Sequence, residues 1–151
     1  LSGDETKTLK TLVLKHHRLH QYSPEWTDRA VRRALHDLGE LYESFLALSI
    51  ADATGRDPER RAEREERLGD FLGRVESLDR KQVIHPKLPL DGNEVMKLLG
   101  INPRECGGGG RVVGKALSAL KEKVVSGEIG PDDAEAARGF VMSREWDGVV
   151  E

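Results

Sequence analysis

Apolar side chains recur at helical spacing between Thr27 and Asp52: Val31, Ala34, Leu35, Leu38, Leu41, Tyr42, Phe45 and Leu48, with Ser49, fall on one face. A stripe with that period is buried only by packing against other helices, which constrains the chain more than any other feature. It predicts one long helix, capped by Thr27, with Asp28 at its positive end and a kink at Gly39.

The same period recurs elsewhere. Between Asp4 and His20, Leu9, Leu12, Val13 and either His16 or His17 form a stripe, which Ser23-Pro24-Glu25 ends. Asp57-Pro58 is an N-cap followed by proline at the first helical position. Residues 56–67 carry five arginines and five acids at recurring i, i+3 and i+4 spacing, which predicts an exposed connecting helix. Val83 to Leu90 reads as an extended, proline-punctuated linker. Asp91 and Glu94 match a capping box for a helix from Asn93 to Leu99, and Gly100 matches its left-handed stop. A loop from Asn102 to Gly110 precedes a helix whose stripe is Val113, Ala116, Leu117, Leu120 and Val124. Gly127 and Gly130 end it, and Pro131-Asp132-Asp133 opens a last helix running to about Arg144. No strand alternation competes. The expectation is an all-α bundle of about six helices with an extended linker and a distal helix-hairpin-helix-like unit. The expected divisions are 1–55, a charged connecting helix at 56–82, and a helical tail at 83–151.

Composition narrows the function classes. No run reaches the roughly 18 to 20 apolar residues that cross a bilayer, so no membrane partner is expected. The single cysteine, Cys106, excludes an internal disulfide framework and a multi-cysteine zinc site, and fits a reducing, cytoplasmic setting. The net charge of −3 conceals alternating blocks: residues 1–33 carry +3, 34–79 carry −6, 80–123 carry +5 and 124–151 carry −5. A basic block recruits polyanions whatever the total.

Three constellations carry candidate chemistry. Gly109-Gly110-Arg111-Val112-Val113-Gly114-Lys115 spells a phosphate loop as far as its lysine. Ala116 then stands where magnesium needs a hydroxyl, and the segment before the loop reads as helix rather than strand. The second is a histidine–aspartate set: His16, His17 or His20, then His36-Asp37, then Asp52. His36 and Asp52 lie about 24 Å apart on one straight helix, too far to share a metal. His36 is expected on the exposed side, and surface or packing roles are expected for the histidines. His16, His17 and Asp52 stay as weak metal candidates. The third is the hairpin through Gly100, Asn102, Arg111, Gly114 and Lys115. A helix N-terminus there offers free N–H donors to a phosphate, and Arg111 and Lys115 conflict with the helix dipole unless an anion is bound. Lys121, Lys123, Lys87 and Lys97 extend the charge, while Trp26 and Trp146 are expected to pack.

Taken in order, the segments Leu12–His17, Trp26–Arg33, Leu46–Asp52, Leu88–Met96, Leu99–Pro103, Val113–Leu117 and Gly127–Ile129 resemble the C-terminal half of bacterial CCA-adding tRNA nucleotidyltransferases and related poly(A) polymerases. The resemblance spans roughly residues 1 to 140. It implies a portion that grips tRNA through acceptor and T-arm phosphates and presents the 3′ end to an N-terminal head. The chemistry, on two Mg2+ ions, would belong to that head, so no catalytic residue and no cofactor are expected in this chain. The Leu1 start is read as that of a piece of something longer. Residues 1–55 resemble the last helices of an HD-type domain; Asp52 matches its trailing aspartate, and the His-Asp pair would lie upstream. In the family the proline reaches Val-Gly-Lys through a very short turn, which Arg104 to Gly110 lengthen here. Two other classes remain open: a metal-dependent HD-type phosphohydrolase, and a helical protein–protein module suggested by the acidic tail.

Overall fold

The structure, a computed structural model, describes residues 2–54, 57–102, 104 and 109–148. The described residues form helices and connecting turns, with no strand among them. No helix among them is long and apolar enough to cross a membrane. The chain divides into two compact units, Leu1–His85 and Pro86–Glu151.

The first unit contains α1 (Gly3–His20), α2 (Asp28–Leu38), α3 (Tyr42–Ala53), α4 (Pro58–Glu76) and α5 (Arg80–Ile84). Thr27 caps α2 by accepting from the Ala30 N–H, and Asp57 caps α4 by accepting from the Glu59 N–H. Helices α2 and α3 together bury Val31, Leu35, Leu38, Tyr42 and Phe45 against Phe71 and Val75 of α4 and Val83 of α5. Tyr22, Phe45 and Phe71 meet edge to face, with ring centroids 5.3 and 6.3 Å apart.

The structure departs from the expectations for this unit in several places. The long helix is two helices: Gly39 takes a positive φ of 52°, which glycine adopts without a Cβ penalty, and a 3₁₀ turn at Gly39–Leu41 redirects the chain. The arginine-rich stretch is exposed or half-buried over residues 57–67, as expected, but it is only the first half of α4. Beyond its charged first half, Leu68, Phe71 and Val75 return at helical spacing and bury α4 against α2 and α3. Val83 and Ile84 are not linker: Asp79 caps α5 by accepting from the Gln82 N–H, and Val83 is buried. The first compact unit runs through α5 to His85. Finally, His36 is half-buried, with Nδ1 2.8 Å from the Val83 carbonyl oxygen, because α5 packs on the side expected to face solvent. The α1 stripe is only partly used: Leu12 packs on the core, but Leu9 and Val13 are 49% and 43% exposed.

The second unit contains α6 (Gly92–Leu99), α7 (Gly109–Ser126), α8 (Ala134–Ser143) and a 3₁₀ turn at Glu145–Gly148. The capping box is complete: Asp91 accepts from the Glu94 N–H at 2.8 Å, and the Glu94 carboxylate accepts from the Asp91 N–H at 2.9 Å. Gly100 closes α6 in the left-handed region at φ 66°. The core is aliphatic and small: Val95, Ala116, Leu120, Ala137 and Val141, closed by Trp146, whose indole N–H donates to the Val141 carbonyl. Gly109 touches Ile101 so closely that a Cβ there would lie 2.5 Å from the Ile101 Cγ2. That contact seats the start of α7 against the end of α6.

Candidate functional site

Two places gather chemistry-bearing groups, one in each unit. In the first unit, α1 packs on α3 and α3 on α4. His16 and His20 stand one turn apart on α1 and share a face. Asp52, in the last turn of α3, completes the group. Nε2 of His16 lies 3.2 Å from Nε2 of His20, and these nitrogens lie 3.8 and 3.7 Å from Asp52 Oδ2. The small pocket around them, with a cavity volume of about 30 Å³, is lined also by Ser49, Arg64 and Arg67. Arg64 donates to the Asp52 carbonyl at 3.2 Å, and Arg67 donates to the His20 carbonyl at 3.2 Å and to Glu63 at 2.6 Å. These bonds anchor α4 to the ends of α1 and α3.

Electrostatics favour a neutral His16. Burial lowers its imidazolium pKa from the ordinary 6.5, and the neighbouring His20 lowers it further, while Asp52 pulls the other way. Two polar atoms here are buried without a hydrogen-bond partner: His16 Nδ1 and Ser49 Oγ.

Of the expected metal candidates, His16 and Asp52 come together and His17 does not; its ring is exposed, and His20 takes the place expected for it. His36 and Asp37 stand elsewhere, His36 on Val83 and Asp37 on Arg18 at 2.7 Å. The i, i+4 spacing of His16 and His20 was the signal for the pair. Nothing in the sequence alone pointed to Arg64 and Arg67.

In the second unit, α7 turns Arg111, Gly114, Ser118 and Lys121 to solvent, with Lys115 half-buried beside them. The first turn of α7 holds no acid. Among the described residues no carboxylate lies within ion-pair distance of Lys97, Arg111, Lys115 or Lys121. The other expected cations are engaged: Lys87 pairs with Asp132 at 3.3 Å, and Lys123 with Glu128. Gly100 serves as the α6 cap, and Asn102 Oδ1 accepts from the Arg104 N–H at 3.1 Å. Trp146 is buried and Trp26 stacks edge-on against Tyr22, in keeping with packing roles. Pro103 and residues 105–108, including Cys106 and most of the lengthened turn, lie outside the described residues.

Gly114 lies on this face, one of several helix glycines with open space where a Cβ would be. A Cβ there would meet nothing within 4 Å. Glycine inside a helix costs about 0.5–1 kcal/mol relative to alanine, so internal packing does not account for it. In searches against known proteins the chain matches no family model, no curated protein and no solved structure.

Proposed function

We propose that this chain is a tRNA-binding portion of a nucleotidyltransferase of the CCA-adding or poly(A) polymerase kind, working in the cytoplasm. On this reading it holds acceptor and T-arm phosphates and offers the 3′ end to a head domain. The observation that carries the reading is the outward face of α7, where Arg111, Lys115 and Lys121 have no carboxylate partners among the described residues and surround the uncrowded Gly114. A bare glycine between cations leaves room for a phosphate beside the Arg111 and Lys115 side chains, and phosphate contacts bind double-helical RNA by shape. The resemblance of the ordered segments to that enzyme family supplies the substrate class. The Mg2+ chemistry belongs to the head, and Lys87, held by Asp132, is a minor contributor.

The test is tRNA binding over a salt series for the parent chain, Arg111→Ala and Lys115→Ala. Log affinity is expected to fall steeply with log salt, and each substitution to reduce the slope by about one phosphate contact. An affinity indifferent to salt and to both substitutions would refute the reading.

A further inference from the structure

The α1–α3 cluster has no part in RNA binding through α7, and its distances have a chemistry of their own. Asp52 Oδ2 is 3.8 and 3.7 Å from the two imidazole nitrogens, beyond the 2.7–3.2 Å of an N–H···O hydrogen bond. With the 3.2 Å between the nitrogens, the three atoms share a centre about 2.1 Å from each. That length is the bond from zinc to histidine nitrogen or carboxylate oxygen in proteins. The two imidazole nitrogens are within reach of each other, but Asp52 Oδ2 bonds neither, and one ion held at that centre would engage all three donors.

A second observation points the same way. Ser49 is 4% exposed, lines the same pocket, and its hydroxyl has no partner. Three protein ligands leave a coordination position for solvent, and a metal-bound water would give that hydroxyl its missing hydrogen bond. We propose that His16, His20 and Asp52 bind one divalent transition-metal ion, with solvent completing its coordination. Two imidazoles and one carboxylate suit zinc, nickel or cobalt; magnesium and calcium require mostly oxygen donors. Arg64 and Arg67 at the pocket wall add to that discrimination, because they oppose a cation not held by strong imidazole bonds. All three protein ligands come from α1 and α3.

Zn2+ and Ni2+ would be titrated into the chain in competition with a chromogenic chelator, alongside His20→Ala, Asp52→Asn and His17→Ala. One equivalent is expected to bind. Affinity should fall in the first two variants by no less than the roughly 10–100-fold that lost second-shell partners cost. His17→Ala should bind as the parent does, and millimolar Mg2+ should not compete. Imidazole NMR signals of His16 and His20, but not of His36, should shift on loading; circular dichroism checks that each variant is folded. A folded parent that binds no equivalent, or binding that survives His20→Ala and is lost in His17→Ala, overturns the site. RNA affinity is read separately, so either proposal can fail without the other.

Discussion

In the first unit charged side chains meet across helices: Arg74 reaches Asp28, Arg18 reaches Asp37, and Arg80 reaches Glu43 while lying over the Tyr42 ring. In the second, the ion pairs sit at the edges, and the middle of α7 keeps its cations to itself. The cores differ as well. Aromatic rings fill the first, whereas alanines and valines bring the helices of the second close together. Exposed pairs contribute only about 0–1 kcal/mol each, so the first unit stands on its rings rather than on its arginines. A charge run thus says little until the helices around it are known. Arg64, Arg67 and Arg74 tie α4 to its neighbours, while Arg111 and Lys121 on α7 face outward.

Breaking the aromatic core should have the largest effect. Phe71→Ala removes a ring 1% exposed that touches both Tyr22 and Phe45, and should cost about 3–5 kcal/mol in urea unfolding. Backbone amide signals of α7 and α8 should persist at urea concentrations that melt α2 and α4; simultaneous loss would show that the units do not unfold separately. Next, Gly109→Ala drives a methyl into Ile101 and should destabilise the second unit by about 1–3 kcal/mol. Gly114→Ala, in open space on the same helix, should instead stabilise α7 by up to about 1 kcal/mol while weakening tRNA binding. Stabilisation with unchanged RNA affinity would remove the reason for that glycine.

Smaller effects sharpen the contrast. Asp91→Ala deletes the capping box and should cost about 1 kcal/mol in thermal unfolding, with no effect on metal uptake. The smallest concerns His16. Its pKa is lowered in the folded state, so the unfolded chain binds the proton more readily as pH falls below 6.5. Stability should therefore decline from that point until pH passes the folded-state value, and His16→Gln should flatten the profile. An identical slope in the variant would assign the decline to other groups.

Most helices were legible because their signals are local. Thr27, Asp57, Asp91 and Gly100 act on residues within one turn, and the stripes at Val31–Ser49 and Val113–Val124 report one buried face each. What failed was long-range. The burial of α4 and α5 depends on other helices, as with His36 and the Val83 carbonyl 47 positions apart, and no local period encodes that. The break at Gly39 was legible as a position but not as an outcome, since glycine also tolerates a continuing helix. At the His16–His20–Asp52 cluster, helix period alone favours His16 with His20 over His16 with His17. The approach of Arg64 and Arg67 needed the fold.

On the proposed reading the outward face of α7 binds RNA phosphates and the α1–α3 cluster does not. Backbone and arginine side-chain NMR, recorded while a tRNA acceptor–T-arm minihelix is added, tests it most directly. The account predicts shifts concentrated from Arg111 to Lys121 and reversed by salt, with the signals of His16, His20 and Asp52 unmoved. Shifts centred on α1 and α3, or none on α7 at saturating RNA, would contradict it.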